Sequence, residues 1–185
     1  RFLFRCEGLD DRAIKLPQLK RVNTLPVVLG QSEMKELLCA PALLKHRVLI
    51  GLLYGCGLRC QEARMLQLKD VDFERNMIHV RQSKGRKDRY VPIGVTLSRG
   101  LKKYIEAEHP FRWLFNGKNH HEGFSQKGVQ WVVREATKKT SIQKHVTVHT
   151  LRHSYATHLL EEGLDIVSIK ELLGHAHIET TMVYS

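Results

Sequence analysis

The stretch 77–92, Met-Ile-His-Val-Arg-Gln-Ser-Lys-Gly-Arg-Lys-Asp-Arg-Tyr-Val-Pro, decides the fold class. Met77–Val80 and Arg89–Pro92 are short runs rich in β-branched and aromatic residues. Between them lies Ser83–Asp88, a polar segment with a glycine, so the natural reading is a β-hairpin. Outward from it in both directions the pattern turns helical. A short helix is predicted to start near Ser32, whose hydroxyl suits an N-cap, and a more apolar helix runs from about Pro41 to Tyr54. Gly55 and Gly57 break the chain, and Arg59 stands where another helix begins. Beyond the hairpin, helices are expected at Thr96–Glu108, Ser125–Lys138, Leu151–Glu162 and Ile166–Leu173. Gly163 and Gly174 lie just past the ends of the last two, where a left-handed residue is wanted, and Asp165 suits an N-cap. The fold class is therefore mostly α with one small antiparallel β-sheet or hairpin, an α+β domain.

The bulk numbers fit one domain. A chain of 185 residues with 42% hydrophobic content buries a substantial core and is not disordered. Its longest apolar stretch, Val48–Leu53, is far too short to span a membrane, so no membrane partner is expected. The first residue is Arg1 and no signal peptide is visible, which reads as a piece of a longer protein. Residues 1–24 lack clean periodicity and read as a linker or the tail of an upstream domain. Residues 25–185 form the domain proper.

Charge supplies the first functional clue. Lysines and arginines total 30 against 19 acids, for a net charge of +11. A surplus of that size concentrates anions near the surface, and nucleic acid is the commonest polyanion. A soluble basic protein with no nucleic-acid role is the competing account. Cys6, Cys39, Cys56 and Cys60 read as reduced thiols of a cytoplasmic protein, because no second pair joins Cys56 and Cys60 in a zinc-like set.

Three clusters can carry chemistry. The first is His149-Thr150-Leu151-Arg152-His153. If Thr150 caps a helix, Arg152 lies in its first turn and His149 just before it, at the pole that attracts phosphate. Arg59 repeats the arrangement, with Glu62 placed to brace its guanidinium. Two arginines at two helix starts would clamp the charge that builds on a phosphoryl group in flight. Solvated basic residues on surface helices are the plainer reading of both. The third cluster is the hairpin turn: Arg81–Arg89 holds five basic residues against one acid. Lys84 at its tip can protonate a leaving oxygen, while Arg81, Arg86, Lys87 and Arg89 can touch DNA. Near the other end stands Tyr184, whose phenol is a poor nucleophile until cations stabilise its anion. Asp70, Asp72 and Glu74 alternate and could hold a divalent cation as in a nuclease, but Val71 and Phe73 alternate equally well, as in an edge strand or turn.

Five segments, in this order and at this spacing, resemble the tyrosine recombinases, also called phage-type integrases, and look most like the integron- or Xer-like members. They are Gly57–Glu62, Ser83–Lys87, His149–Thr157, Leu172–His175 and Thr180–Tyr184. The resemblance implies the integrase catalytic-domain fold, preceded by a core-binding domain that residues 1–24 would join. It implies that Arg59, His149 and Arg152 bind the scissile phosphate with His175. Glu62 supports Arg59, Lys84 is the general acid, and Tyr184 is the nucleophile. The implied reaction forms a 3′-phosphotyrosyl link without metal, ATP or other cofactor. Its implied partners are double-stranded DNA recombination sites and three further copies, a homotetramer on two duplexes. Such enzymes serve DNA integration and mobile elements in the prokaryotic cytoplasm, at the nucleoid. A type IB topoisomerase shares the constellation but acts as a monomer, and a non-catalytic basic DNA-binding module is the alternative outside enzymes.

Overall fold

The computed structural model describes residues 26–81, 88–117, 119 and 121–174. Among them the chain forms helices α1 (Gln31–Cys39), α2 (Leu44–Gly55), α3 (Cys60–Arg64), α4 (Val95–Glu108), α5 (Gln126–Thr137), α6 (Val148–Glu161) and α7 (Ile166–Leu173). Strands β1 (Val71–Asp72), β2 (Met77–Val80) and β3 (Arg89–Pro92) form one antiparallel sheet in the order β1-β2-β3. Within β2 and β3, Ile78 faces Val91 and Val80 faces Arg89, so Ile78, Val80 and Val91 share the buried side. The expected mostly helical architecture with a small sheet is what the residues build.

Helix α2 is the axis of the domain. Val48 through Leu53 are buried without a break, which requires neighbours around the whole circumference and not along one stripe. Those neighbours are α1, α3, α4, α5 and α6. At Gly51 a Cβ would come within 2.7 Å of the Leu97 side chain, so glycine is what lets α4 approach. The amphipathic α1, α4 and α5 cover the core with one face each. Ser125 caps α5 by accepting from the Gly128 amide at 2.9 Å, and Asp165 caps α7 through the Val167 and Ser168 amides. Gly163 (φ 89°) and Gly174 (φ 63°) take the left-handed conformation that the sequence pattern anticipates.

Three boundaries depart from expectation. Gly30, not Ser32, caps α1: its amide donates to the Glu33 carboxylate at 2.7 Å, and Ser32 lies inside the helix. Helix α2 begins at Leu44 because Pro41, Ala42 and Leu43 stay outside it. Helix α6 begins three residues earlier than Leu151, at Val148. Its cap is Thr147, whose hydroxyl accepts from the Thr150 amide while the Thr150 hydroxyl accepts from the Thr147 amide. A reciprocal capping pair of this kind satisfies two of the orphan amides at a helix start. The turn expected at Ser83–Asp88 falls mainly on 82–87, outside the described residues.

Candidate active site

The centre of the site is a carboxylate. Gly57 (φ 55°) turns the chain out of α2, and a Cβ there would meet the Tyr155 ring at 2.5 Å and the Leu173 side chain at 2.8 Å. The turn delivers Arg59 to the N-cap of α3 and Glu62 to its third position. The Glu62 carboxylate reaches back to accept from the Arg59 amide at 2.8 Å and from Arg59 Nη1 at 2.8 Å. Arg89, from β3, approaches with both Nη atoms, at 3.0 and 2.9 Å. Four donors saturate the lone pairs of one carboxylate. Arg152 adds a third guanidinium, with Nη1 3.9 Å from Glu62 Oε2. Burial pushes the Glu62 carboxyl up; the hydrogen bonds and charge of Arg89, then the Arg59 amide and guanidinium, outweigh it and hold the group at about 2. Glu62 is thus ionised throughout the physiological range.

The same three arginines grip the end of α7. Arg89 Nε donates to the Leu172 carbonyl at 2.8 Å, Arg152 Nη2 to Leu173 at 2.7 Å, and Arg59 Nη2 to Gly174 at 3.0 Å. The last carbonyls of a helix have no partner within it and form its negative pole, so cations belong there. Arg152 also donates through Nη1 to the Gly57 carbonyl. The sequence reading places the two arginines at helix starts, with Arg152 in a first turn. The structure corrects this for Arg152: it is buried in the second turn of α6, and the helix end it meets is a C-terminus.

His149, in contrast, lies exposed in the first turn of α6. His153 sits one turn further along the same face and is half-buried. Burial first, then the neighbouring charges of His149 and Arg152, push its pKa down. The shift favours the neutral form of this imidazole beside Arg152, a residue to which the sequence reading assigns no role of its own. The signal was available in the spacing of His149 and His153, which puts both on one helix face. His158, the next histidine along the helix, instead turns to the core, where its Nδ1 meets the Tyr54 hydroxyl at 2.8 Å.

From His149 an open groove of about 1030 Å³ runs between α5 and the segment leading into α6. Lys127, Arg134, Lys138, Lys144 and His145 line it together with Trp131. Cations outnumber anions along it, and apart from Cys60 its lining comes from the single stretch 126–149.

The hairpin arginines are placed unlike the expectation. Arg89 is expected on DNA, but only 9% of its side chain is exposed and its donors point at Glu62 and Leu172. Arg81 is half-exposed and pairs with the buried Asp70 carboxylate. Asp70 also accepts from the Gln67 amide at 2.9 Å, and Asp72 accepts from the Glu74 and Arg75 amides. These acids each close a local turn and form no metal-holding cluster among the described residues. Cys56 is buried with its thiol pushed up to about 12 by desolvation, Cys60 is half-buried and Cys39 is exposed, and no zinc set gathers around them among the described residues. No helix among the described residues is long and apolar enough to cross a membrane. Lys84, Arg86, Lys87, His175 and Tyr184 lie outside the described residues.

Residues 28–185 match the phage integrase family. The chain is 40% identical over 185 residues to tyrosine recombinase XerA of Pyrococcus horikoshii, covering 98% of itself and 64% of that protein. It is 36% identical over 187 residues to tyrosine recombinase XerD of Listeria innocua, covering 95% and 63%. Among solved structures, XerA recombinase superimposes with a TM-score of 0.82 at 34% identity, over 87% of this chain and 60% of that one. XerH site-specific recombinase bound to its difH substrate gives 0.71 at 27% identity, over 90% and 52%. The chain belongs to the phage integrase family and has the fold of a tyrosine recombinase catalytic domain. It spans less than two thirds of the length of these relatives.

Proposed function

We propose that the chain is the catalytic part of a site-specific DNA recombinase that cleaves and rejoins strands through Tyr184. The observation that carries the reading is the convergence of Arg59 and Arg152 on Glu62. Two guanidiniums locked by one carboxylate and by helix carbonyls are preorganised for a phosphate, and preorganised donors stabilise charge that develops in a transition state. The nearby His149 is exposed, and the groove that leads away from it is lined with cations suited to a DNA backbone.

In this reading the Tyr184 hydroxyl gives up its proton to solvent as its oxygen attacks the scissile phosphorus and forms a 3′-phosphotyrosyl bond. The bond from phosphorus to O5′ breaks, and O5′ takes a proton from Lys84. His149 and His175 hydrogen-bond the phosphate oxygens. Attack by a 5′ hydroxyl of a second duplex reverses the step and exchanges the strands. The bond energy stays in the phosphotyrosine, so the reading requires no ATP, metal or other cofactor. Residues 25–185 are the catalytic domain, and residues 1–24 link it to a core-binding domain. The working assembly is a homotetramer on two duplexes, acting on nucleoid DNA in a prokaryotic cytoplasm.

The test is a nicked suicide substrate incubated with the chain in EDTA. The expected result is a covalent adduct that maps to Tyr184 and disappears in Tyr184→Phe while DNA binding persists. An adduct that survives in Tyr184→Phe, or cleavage abolished by EDTA, would overturn the reading.

A further inference from the structure

We infer that Arg89 is a positioning residue for strand cleavage: it ties the Glu62 hub to the last turn of α7, and so sets where the chain leaves the arginine cluster at Gly174. The inference rests on the recombinase reading above. Its basis is one side chain that bridges three elements. From β3, Arg89 places two Nη donors on Glu62 of α3 at 3.0 and 2.9 Å and its Nε on the Leu172 carbonyl of α7 at 2.8 Å. Only arginine can do both, because its fork offers a bidentate face and a separate Nε–H at fixed angles.

The neighbouring contacts show why the link matters. Leu172, Leu173 and Gly174 each hand their carbonyl to a different arginine, in chain order to Arg89, Arg152 and Arg59. Arg59 and Arg152 are the two side chains assigned to the phosphate, and His175 follows Gly174 by one peptide bond. The helix end and the phosphate-binding guanidiniums are therefore positioned by the same few bonds. Of these three arginines, Arg89 is the one with no phosphate role. All three nitrogens of its guanidinium are committed within the protein, Nη1 and Nη2 to Glu62 and Nε to Leu172, so it acts through Glu62 and α7. Loss of a group that holds reacting partners in register costs about 100-fold when the misplacement is near 1 Å.

The experiment compares wild type, Arg89→Ala, Arg89→Lys and Arg59→Ala on two suicide substrates. One carries an ordinary scissile phosphodiester and the other a methylphosphonate, which is neutral before attack and carries one negative charge fewer throughout. At saturating DNA, Arg89→Ala is expected to slow adduct formation on the phosphodiester about 100-fold, with Kd within about threefold of wild type. Arg59→Ala is expected to lose far more on the phosphodiester than on the methylphosphonate, because it removes a contact to charge. Arg89→Lys keeps a cation beside Glu62 but cannot make the Leu172 bond. It is expected to fold, as judged by circular dichroism, and still to cleave at least tenfold slower, and it decides the question if Arg89→Ala does not fold. Wild-type cleavage by Arg89→Lys would overturn the inference alone. So would weakened Kd with unchanged saturated cleavage, since that places Arg89 on the DNA. Absence of any Tyr184 adduct in wild type would take down the recombinase reading and the inference together.

Discussion

Replacing Glu62 by Gln removes one charge from the centre of the site with little change of shape. Glu62 is enclosed, with 8% of its side chain exposed, and its carboxyl is held at about 2 against an ordinary 4.5. At about 1.4 kcal/mol per pH unit, that difference corresponds to about 3 kcal/mol of preference for the folded state. Breaking a buried ion pair by removing one partner costs a similar amount, about 3–5 kcal/mol, because the remaining charges stay buried without compensation. A carboxyl with a depressed folded pKa binds fewer protons folded than unfolded, so its contribution is complete above about 4.5 and is lost as pH falls toward about 2. Urea unfolding of wild type and Glu62→Gln across pH 7 to 2 measures both quantities. The variant is expected to be about 3 kcal/mol less stable at pH 7, with the gap closing between about pH 4.5 and 2. A gap under about 1 kcal/mol at neutral pH, or two parallel curves through the acid range, would refute the view of Glu62 as an ionised hub.

Two further perturbations test the supporting structure. Gly57→Ala forces a side chain into the left-handed region and against the Tyr155 ring at 2.5 Å; it should lower stability by about 3 kcal/mol in urea unfolding, and a variant as stable as wild type would mean that the turn is free to relax. Ser154→Ala deletes the hydroxyl that accepts from the Leu29 amide at 2.9 Å and donates to the Thr150 carbonyl at 2.8 Å. The buried Leu29 amide is then left without an acceptor, at a cost of about 1–3 kcal/mol by thermal unfolding; an unchanged Tm would contradict the role of this bond in tying the segment before α1 to α6.

Most of the fold is legible in the sequence because its signals are local. Hairpin strands, left-handed glycines and the Asp165 cap each depend on a few consecutive residues, and each lies where the pattern places it. The start of α6 differs from expectation because Thr147 and Thr150 both suit a cap, and which one serves depends on the reciprocal bonds they make to each other. Arg89 differs for another reason. In sequence it belongs to a basic run, and nothing local says that its partner Glu62 lies 27 positions upstream. The spacing of His153 from His149 is legible in the sequence, but its depressed pKa comes first from burial, which local sequence does not encode.

The sequence by itself determined that this is a basic, mostly helical domain with a small sheet, and it supplied the ordered motifs that place the chain in its family. Helical period, strand alternation, turn residues and net charge are properties of neighbours along the chain, so they survive without coordinates. Only the tertiary structure decided what else meets the Glu62 carboxylate: this group, which the sequence already pairs with Arg59, also gathers Arg89 and Arg152, and the three arginines hold three successive carbonyls at the end of α7. Guanidinium bonds reach only about 3 Å, so their partners are fixed by how distant segments pack, and packing is set by the core and not by the residues that perform the chemistry.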